Sequence, residues 1–64
     1  MKIRYDKETD IIYIQFSNSQ VTESDEEKPG IILDYDAAGG IVGIEVLNAS
    51  TKMDHANSVI YEVA

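Results

Sequence analysis

Residues 31–46 read IILDYDAAGGIVGIEV, two runs rich in β-branched residues on either side of a glycine-containing turn. Alternation of apolar and polar residues is typical of β-strands, and glycines in such a turn supply the positive φ angles that tight hairpins need. A shift of one residue would exchange the two faces of a strand, so the register can be predicted. The register that gathers the apolar side chains on one face pairs Asp36 with Ile41, Tyr35 with Val42, Leu33 with Ile44 and Ile31 with Val46. We therefore predict an antiparallel hairpin here.

The N-terminal part of the chain predicts a second hairpin around the turn-rich stretch DKETD, residues 6–10. Pairing Tyr5 with Ile12 and Ile3 with Ile14 keeps one face apolar. The polar and acidic stretch between the hairpins, residues 17–30, contains few apolar residues, and we expect a mobile loop there.

The C-terminal part supports two interpretations. Thr51 and Asp54 have capping-box spacing, which favours a short helical turn. Val59, Tyr61 and Val63 alternate with Ile60 and Glu62, which favours a strand, and short apolar runs do not separate the two. The predicted fold is one small domain over residues 1–64. It is mainly β, with α+β as the alternative: an antiparallel meander of two successive hairpins with four or five strands and a short C-terminal helical turn or strand.

Composition limits the partners. Twelve acidic residues against five basic ones give a net charge of −7 and a pI near 4.3. Nucleic acids and anionic membranes would be repelled, whereas a basic protein would be attracted. The chain has no apolar leader and no cysteine, so we expect a cytoplasmic protein without disulfides. A core of this size typically leaves only about 3–5 kcal/mol of net stability against unfolding. Association through a second apolar surface would add to this stability, so we expect a homodimer.

Four segments resemble a small bacterial family known as domain of unknown function 2283. They are IRYD at residues 3–6, DIIYI at 10–14, PGIILDYD at 29–36 and VGIEVL at 42–47. The resemblance implies a compact β-meander domain with no established enzymatic activity and no assigned catalytic residues. Members of the family are often encoded beside small proteins resembling ribonuclease toxins, so the resemblance also implies an antitoxin-like or binding role.

The acidic residues around the central turn are candidate metal ligands. Asp34, Asp36 and Glu45 occupy positions 1, 3 and 12 of a calcium-loop pattern, with Gly39 at position 6. Position 5 is Ala38 rather than Asp or Asn, and the flanks are predicted strands rather than helices. A weak cation or ligand site is therefore the alternative to acids that are simply solvated on the outer face of a sheet.

The outer face of the predicted sheet also carries apolar side chains, and exposed apolar patches commonly mark contact sites. The candidate interface residues are Ile11, Tyr13, Ile32 and Ile41. A second copy or a protein partner would cover them, or the C-terminal segment would fold back over them. The single histidine, His55, lacks a recognisable catalytic partner, and no phosphate-binding motif is present. We expect no cofactor and favour a non-catalytic interaction module.

Overall fold

The computed structural model describes residues 1–64, and these form one open antiparallel sheet followed by a short helix. The strands are β1 Lys2–Asp6, β2 Ile11–Gln15, β3 Glu23–Lys28, β4 Ile31–Tyr35 and β5 Ile41–Val46, and the helix is α1 Ala49–Lys52. The order across the sheet is β1-β2-β5-β4-β3. The mainly β class, the two hairpins and the short C-terminal helical turn are as predicted.

Both predicted hairpins form with nearly the expected register. Tyr5 lies opposite Ile12 in the first hairpin, and Leu33 lies opposite Ile44 in the second. Two pairs next to the turn were predicted wrongly, because Ile41 pairs with Tyr35, so that Tyr35 does not pair with Val42 and Asp36 does not pair with Ile41. The Val42 carbonyl accepts hydrogen bonds from the backbone N–H groups of Phe16, at 2.7 Å, and Ser17, at 3.3 Å. Val42 is thus bound to the end of β2, and the extra residue makes a bulge opposite β4.

The two hairpins join through β2 and β5, which pair along Ile12–Val46 and Ile14–Ile44. The connection that follows β2 therefore crosses to the far side of the second hairpin. As a result β1 and β3 are the two edges of the sheet.

The segment predicted to be a mobile loop contains an entire strand, so that prediction was wrong. β3, with the sequence ESDEEK, pairs with β4, and the turn between them is Pro29-Gly30. All six β3 residues are exposed. This strand is held by its backbone pairing with β4. Because none of its side chains is buried, its sequence lacks the apolar alternation by which a strand is recognised.

The core lies on one face of the sheet, where α1 packs on the central strands. Ile12, Val46 and Ala49 form the buried cluster, with Met53 and Ala56 packed against it. Residues 57–64 form no helix or strand, so the alternative prediction of a C-terminal strand was wrong. The molecule measures 33 × 31 × 19 Å, the shape of one sheet with a thin cover on one side.

Candidate functional site

The face of the sheet opposite α1 holds a buried polar arrangement around Asp34. Asp34 is the one buried charged residue, 9% exposed, and its carboxylate accepts a hydrogen bond of 2.6 Å from the Ser24 hydroxyl. Burial and the neighbouring Asp34 carboxylate raise the pKa of Tyr13. A buried carboxylate needs such donors, because an unpaired charge away from water is costly. The arrangement links β2, β4 and β3.

Gly43 explains how Tyr13 reaches Asp34 from two strands away. A Cβ atom on Gly43 would lie 2.5 Å from the Tyr13 hydroxyl oxygen and 2.7 Å from Cζ. The tyrosine ring therefore lies across the bare backbone of β5. Sequence reasoning missed this contact, although a glycine inside a strand is itself a signal of close approach by another group.

The three predicted metal ligands have separate structural roles. Asp34 accepts the Ser24 hydroxyl, whereas the Asp36 carboxylate accepts the backbone N–H groups of Ala38, at 3.0 Å, and Gly40, at 2.8 Å. Glu45 lies between Tyr13 and Ile32 across the sheet. No group of three or more His, Asp or Glu residues comes together to hold a metal ion. The structure adds no support for this site, and cation binding stays a prediction.

The predicted interface residues are only partly adjacent. Tyr13 and Ile32 lie in one row, on either side of Glu45, and Ile11 follows two residues from Tyr13 along β2. Ile41 lies beyond the bulge, opposite Tyr35, and is separated from that row. The C-terminal turn packs over Ile12, on the other face. Association through the Ile11, Tyr13, Ile32 and Ile41 set also stays a prediction.

A second polar arrangement fixes α1 to the first hairpin. The Asp10 carboxylate accepts hydrogen bonds from the Ser50 hydroxyl at 2.6 Å, the Ser50 backbone N–H at 3.0 Å and the Tyr5 hydroxyl at 2.8 Å. These bonds, led by that from the Ser50 hydroxyl, lower the pKa of Asp10. The hydrogen bond that Tyr5 donates to Asp10 is also the main reason that the pKa of Tyr5 is raised. All partners are satisfied within the fold, so this arrangement is a structural clamp.

The third polar feature is the edge strand β3, whose residues 23–28 we call the acidic edge. It carries four carboxylates and a single lysine, and its outer side has no neighbouring strand. Glu26 accepts the Gly30 backbone N–H at 3.0 Å, and Glu27 accepts the Tyr35 hydroxyl at 3.1 Å. Glu23 and Asp25 make no side-chain hydrogen bond. The acidic edge thus offers both free carboxylates and unpaired backbone groups.

Residues 2–50 match a known family, described as a protein of unknown function, DUF2283. The chain belongs to the DUF2283 family. The matched residues contain all five strands and the start of α1, and the segment from Thr51 onward lies outside the match. No curated protein and no solved structure matches the chain. In this DUF2283 domain no helix is long and apolar enough to cross a membrane.

Proposed function

We propose that this DUF2283 domain is a non-catalytic protein-interaction module, and that its acidic edge pairs with an extended, basic segment of another protein. The observation that carries the proposal is the combination found in β3. It is a strand at the end of the sheet, paired in continuous register with β4 from Glu23 to Glu26 and bulged between Glu26 and Lys28. All of its side chains are exposed, and four of its six residues are acidic.

The backbone supplies the affinity in this mode of binding. An edge strand has a row of N–H and C=O groups with no partner, and an incoming extended peptide can add to the sheet through them. β3 is well held from the other side by its pairing with β4. A peptide that adds to β3 would therefore extend an existing five-stranded sheet.

The charges supply the selectivity. Glu23 and Asp25 point to one face of the sheet, and Glu26 points to the other, since successive side chains alternate. An added strand with lysines or arginines would find an opposite charge on either face. The net charge of −7 would also attract a basic partner at long range. An antitoxin-like role, in which the domain neutralises a small basic protein, is one form of this function.

A different explanation of the same charges is protection. Charged residues on an edge strand discourage uncontrolled pairing with other edges. The two explanations differ in one outcome: protection predicts no binding of a basic extended segment, whereas recognition predicts binding that depends on these acids.

The test is to compare two variants that have the same net charge. In the first, Glu23→Gln with Asp25→Asn, both changes fall on the acidic edge; in the second, Glu8→Gln with Asp54→Asn, both fall on exposed acids elsewhere. None of the four side chains accepts a hydrogen bond in the structure, so we expect both variants to fold. The ligand is a synthetic peptide of alternating lysine and valine, and its Kd is measured by fluorescence anisotropy.

We expect the first variant to bind the peptide several-fold more weakly than the second, because each exposed ion pair contributes about 0.2–1 kcal/mol. Equal Kd values for the two variants would mean that only overall charge matters. Absence of binding to the unaltered protein would leave protection as the explanation of the acidic edge.

A further inference from the structure

The cover over the core is incomplete. Ile3, Ile14, Ile44 and Leu33 lie side by side across β1, β2, β5 and β4, one row away from the buried cluster and on the same face. α1 and the turn that follows it pack over Ile12 and Val46, in the next row. None of the four side chains in the open row is buried, and Ile3 is 40% exposed. The open row is thus an apolar surface that the chain's own helix does not reach.

The C-terminal segment brings more apolar surface to the same place. Val59, Ile60, Tyr61 and Val63 are between 61 and 84% exposed. Val59 and Tyr61 line an open depression together with Met1 and Ile3, and all four lining residues are apolar. Phe16 directly follows β2, two residues after Ile14 of the open row, and its side chain is also exposed. We call the set Met1, Ile3, Phe16, Val59 and Tyr61 the apolar patch.

The C-terminal segment is also patterned to lie along β1. Asn57 shares a depression with Tyr5, whereas Val59 and Tyr61 share one with Met1 and Ile3, so the segment runs antiparallel to β1. Its odd-numbered apolar residues match the odd-numbered apolar residues of β1. No backbone hydrogen bond joins the two. The segment therefore has the alternation of a strand, but its only backbone hydrogen bond is the local one from the Ser58 N–H to the His55 carbonyl.

The distribution of charge selects the occupant of this surface. No side chain of the apolar patch is charged, although the chain carries a net charge of −7 and Met1 bears the N-terminal ammonium. The patch lies at the β1 edge, and the acidic edge lies at the other end of the sheet, four strand spacings or about 19 Å away. Two copies that meet at their patches keep their acidic edges at opposite ends, well beyond the Debye length of about 8 Å in physiological salt. A second copy therefore fits here without bringing the two acidic edges together.

The size of the surface agrees with such a partner. The apolar patch together with Val63 exposes on the order of 750 Å², taking roughly 150–250 Å² for a large side chain. One partner in a standard protein interface contributes about 800 Å². A patch whose side chains are all apolar can also face a copy of itself, as a two-fold interface requires.

We propose that two copies of the domain associate through their apolar patches around a two-fold axis, each C-terminal segment becoming ordered between the two sheets. This interface lies on the face opposite the predicted set of Ile11, Tyr13 and Ile32. It also lies at the sheet edge opposite the proposed site for a basic partner, so the two proposals stand or fall separately.

The test is the mass of the full chain by light scattering after size exclusion, over a wide range of concentration. The variants are Val59→Ser and Tyr61→Ser, neither of which touches the core cluster, and the control is Val21→Ser. Val21 is an exposed valine, 41% accessible, that is not part of the apolar patch; it precedes Thr22, whose backbone N–H donates to Tyr35 of β4. Circular dichroism checks that each variant keeps its sheet.

We expect the unaltered protein and Val21→Ser to reach the mass of two chains, and the two patch variants to need at least tenfold higher concentration to do so. Added salt should leave this association intact, whereas it weakens the binding of a basic peptide. A chain that stays monomeric at every concentration would overturn the proposal. So would patch variants that dimerise like the unaltered protein, or assemblies that grow beyond two copies.

Discussion

At the scale of single residues, the fold depends on a few side chains that pack against a glycine backbone or hydrogen-bond to a carboxylate. Tyr13 lies across Gly43 and reaches Asp34, and Asp10 collects three donors from α1 and β1. Both arrangements join parts of the chain that are distant in sequence. Substitutions at Gly43 and Asp10 therefore test whether these contacts hold the fold together.

Gly43→Ala should destabilise the domain by about 1–3 kcal/mol, the usual cost of overpacking. A Cβ at this position would meet the Tyr13 ring and would lie 2.8 Å from the Ile14 carbonyl oxygen. The expected sign is unusual, since replacing a strand glycine by alanine ordinarily stabilises by roughly 0.5–1 kcal/mol. Urea denaturation measures the change. Gly40→Ala is the control and should be less costly, because its nearest neighbours are atoms of the Asp36 side chain, at 3.1 Å or more, and none is a backbone atom. A stabilised Gly43→Ala variant would refute the contact.

Asp10→Asn should lower the melting temperature at neutral pH, because the amide has one acceptor oxygen in place of two. Hydrogen bonds lower the pKa of Asp10 in the folded state below its unfolded value of about 3.9. The stability that its carboxylate contributes is therefore complete above that pH and is lost as the pH falls through the folded pKa. The difference in melting temperature between Asp10→Asn and the unaltered protein should therefore become smaller below about pH 4.

The melting temperature of each protein, followed from neutral to acidic pH, tests this prediction. Asn tolerates the left-handed backbone that Asp10 adopts, with φ 57°, so the substitution adds no strain. Asp54→Asn is the control, since Asp54 makes no side-chain hydrogen bond and should follow the unaltered protein. A gap that is the same at every pH would show that the Asp10 charge does not contribute.

At the scale of elements, the two hairpin turns of the second half of the chain give a matched pair. Gly30 and Gly39 both have left-handed backbones, with φ 79° and 83°. Gly39→Ala meets no atom within 4 Å and should cost only the backbone penalty of about 1–2 kcal/mol. Gly30→Ala should cost slightly more, because its Cβ would lie 2.9 Å from Lys52 Nζ and would move that side chain off the Leu47 carbonyl, to which it donates a hydrogen bond.

Denaturation of both variants measures the difference, and Lys52→Ala provides the check. In a Lys52→Ala background the crowding is removed, so the two glycine substitutions should become equally costly. If Gly30→Ala keeps its extra cost there, contacts other than Lys52 determine it.

The elements with apolar alternation could be predicted from the sequence together with their register. Pairs such as Tyr5–Ile12 and Leu33–Ile44 follow from the need to keep one face apolar. β3 could not be predicted this way, because its side chains are all exposed and its pairing resides in the backbone. The bulge at Val42 depends on a carbonyl that bonds to the end of β2, which is a long-range contact.

The candidate site was less accessible to sequence reasoning. The acidic residues around the turn at residues 36–40 suggested a cation site, but hydrogen bonding within the fold disperses them. Asp36 caps its own turn, and Asp34 is enclosed by Ser24 and Tyr13. The acidic edge could not be recognised without β3, because an acidic loop and an acidic edge strand have the same composition. Only the strand order places it at the rim.

At the scale of the whole molecule, the two edges of the sheet differ in character. The β1 edge adjoins the apolar patch, and the β3 edge carries four acidic residues. The molecule is a single sheet with a thin cover, 19 Å in its smallest dimension, so both sheet edges are open to partners at the same time. Under the two proposals, a second copy binds at the β1 edge and a basic partner at the β3 edge, and added salt should weaken only the second association.

The most direct test of the central claim compares two peptides of alternating lysine and valine, one of which has N-methylated backbone amides. Both carry the same charge, but the methylated peptide cannot form the hydrogen bonds of an added strand. Amide hydrogen exchange of the domain, followed by NMR, reports where each peptide binds. We expect the unmodified peptide alone to slow exchange at β3, Glu23–Lys28, and to leave β1 unchanged. Equal binding of both peptides, or protection at β1 in place of β3, would contradict the claim that the acidic edge recognises a basic segment.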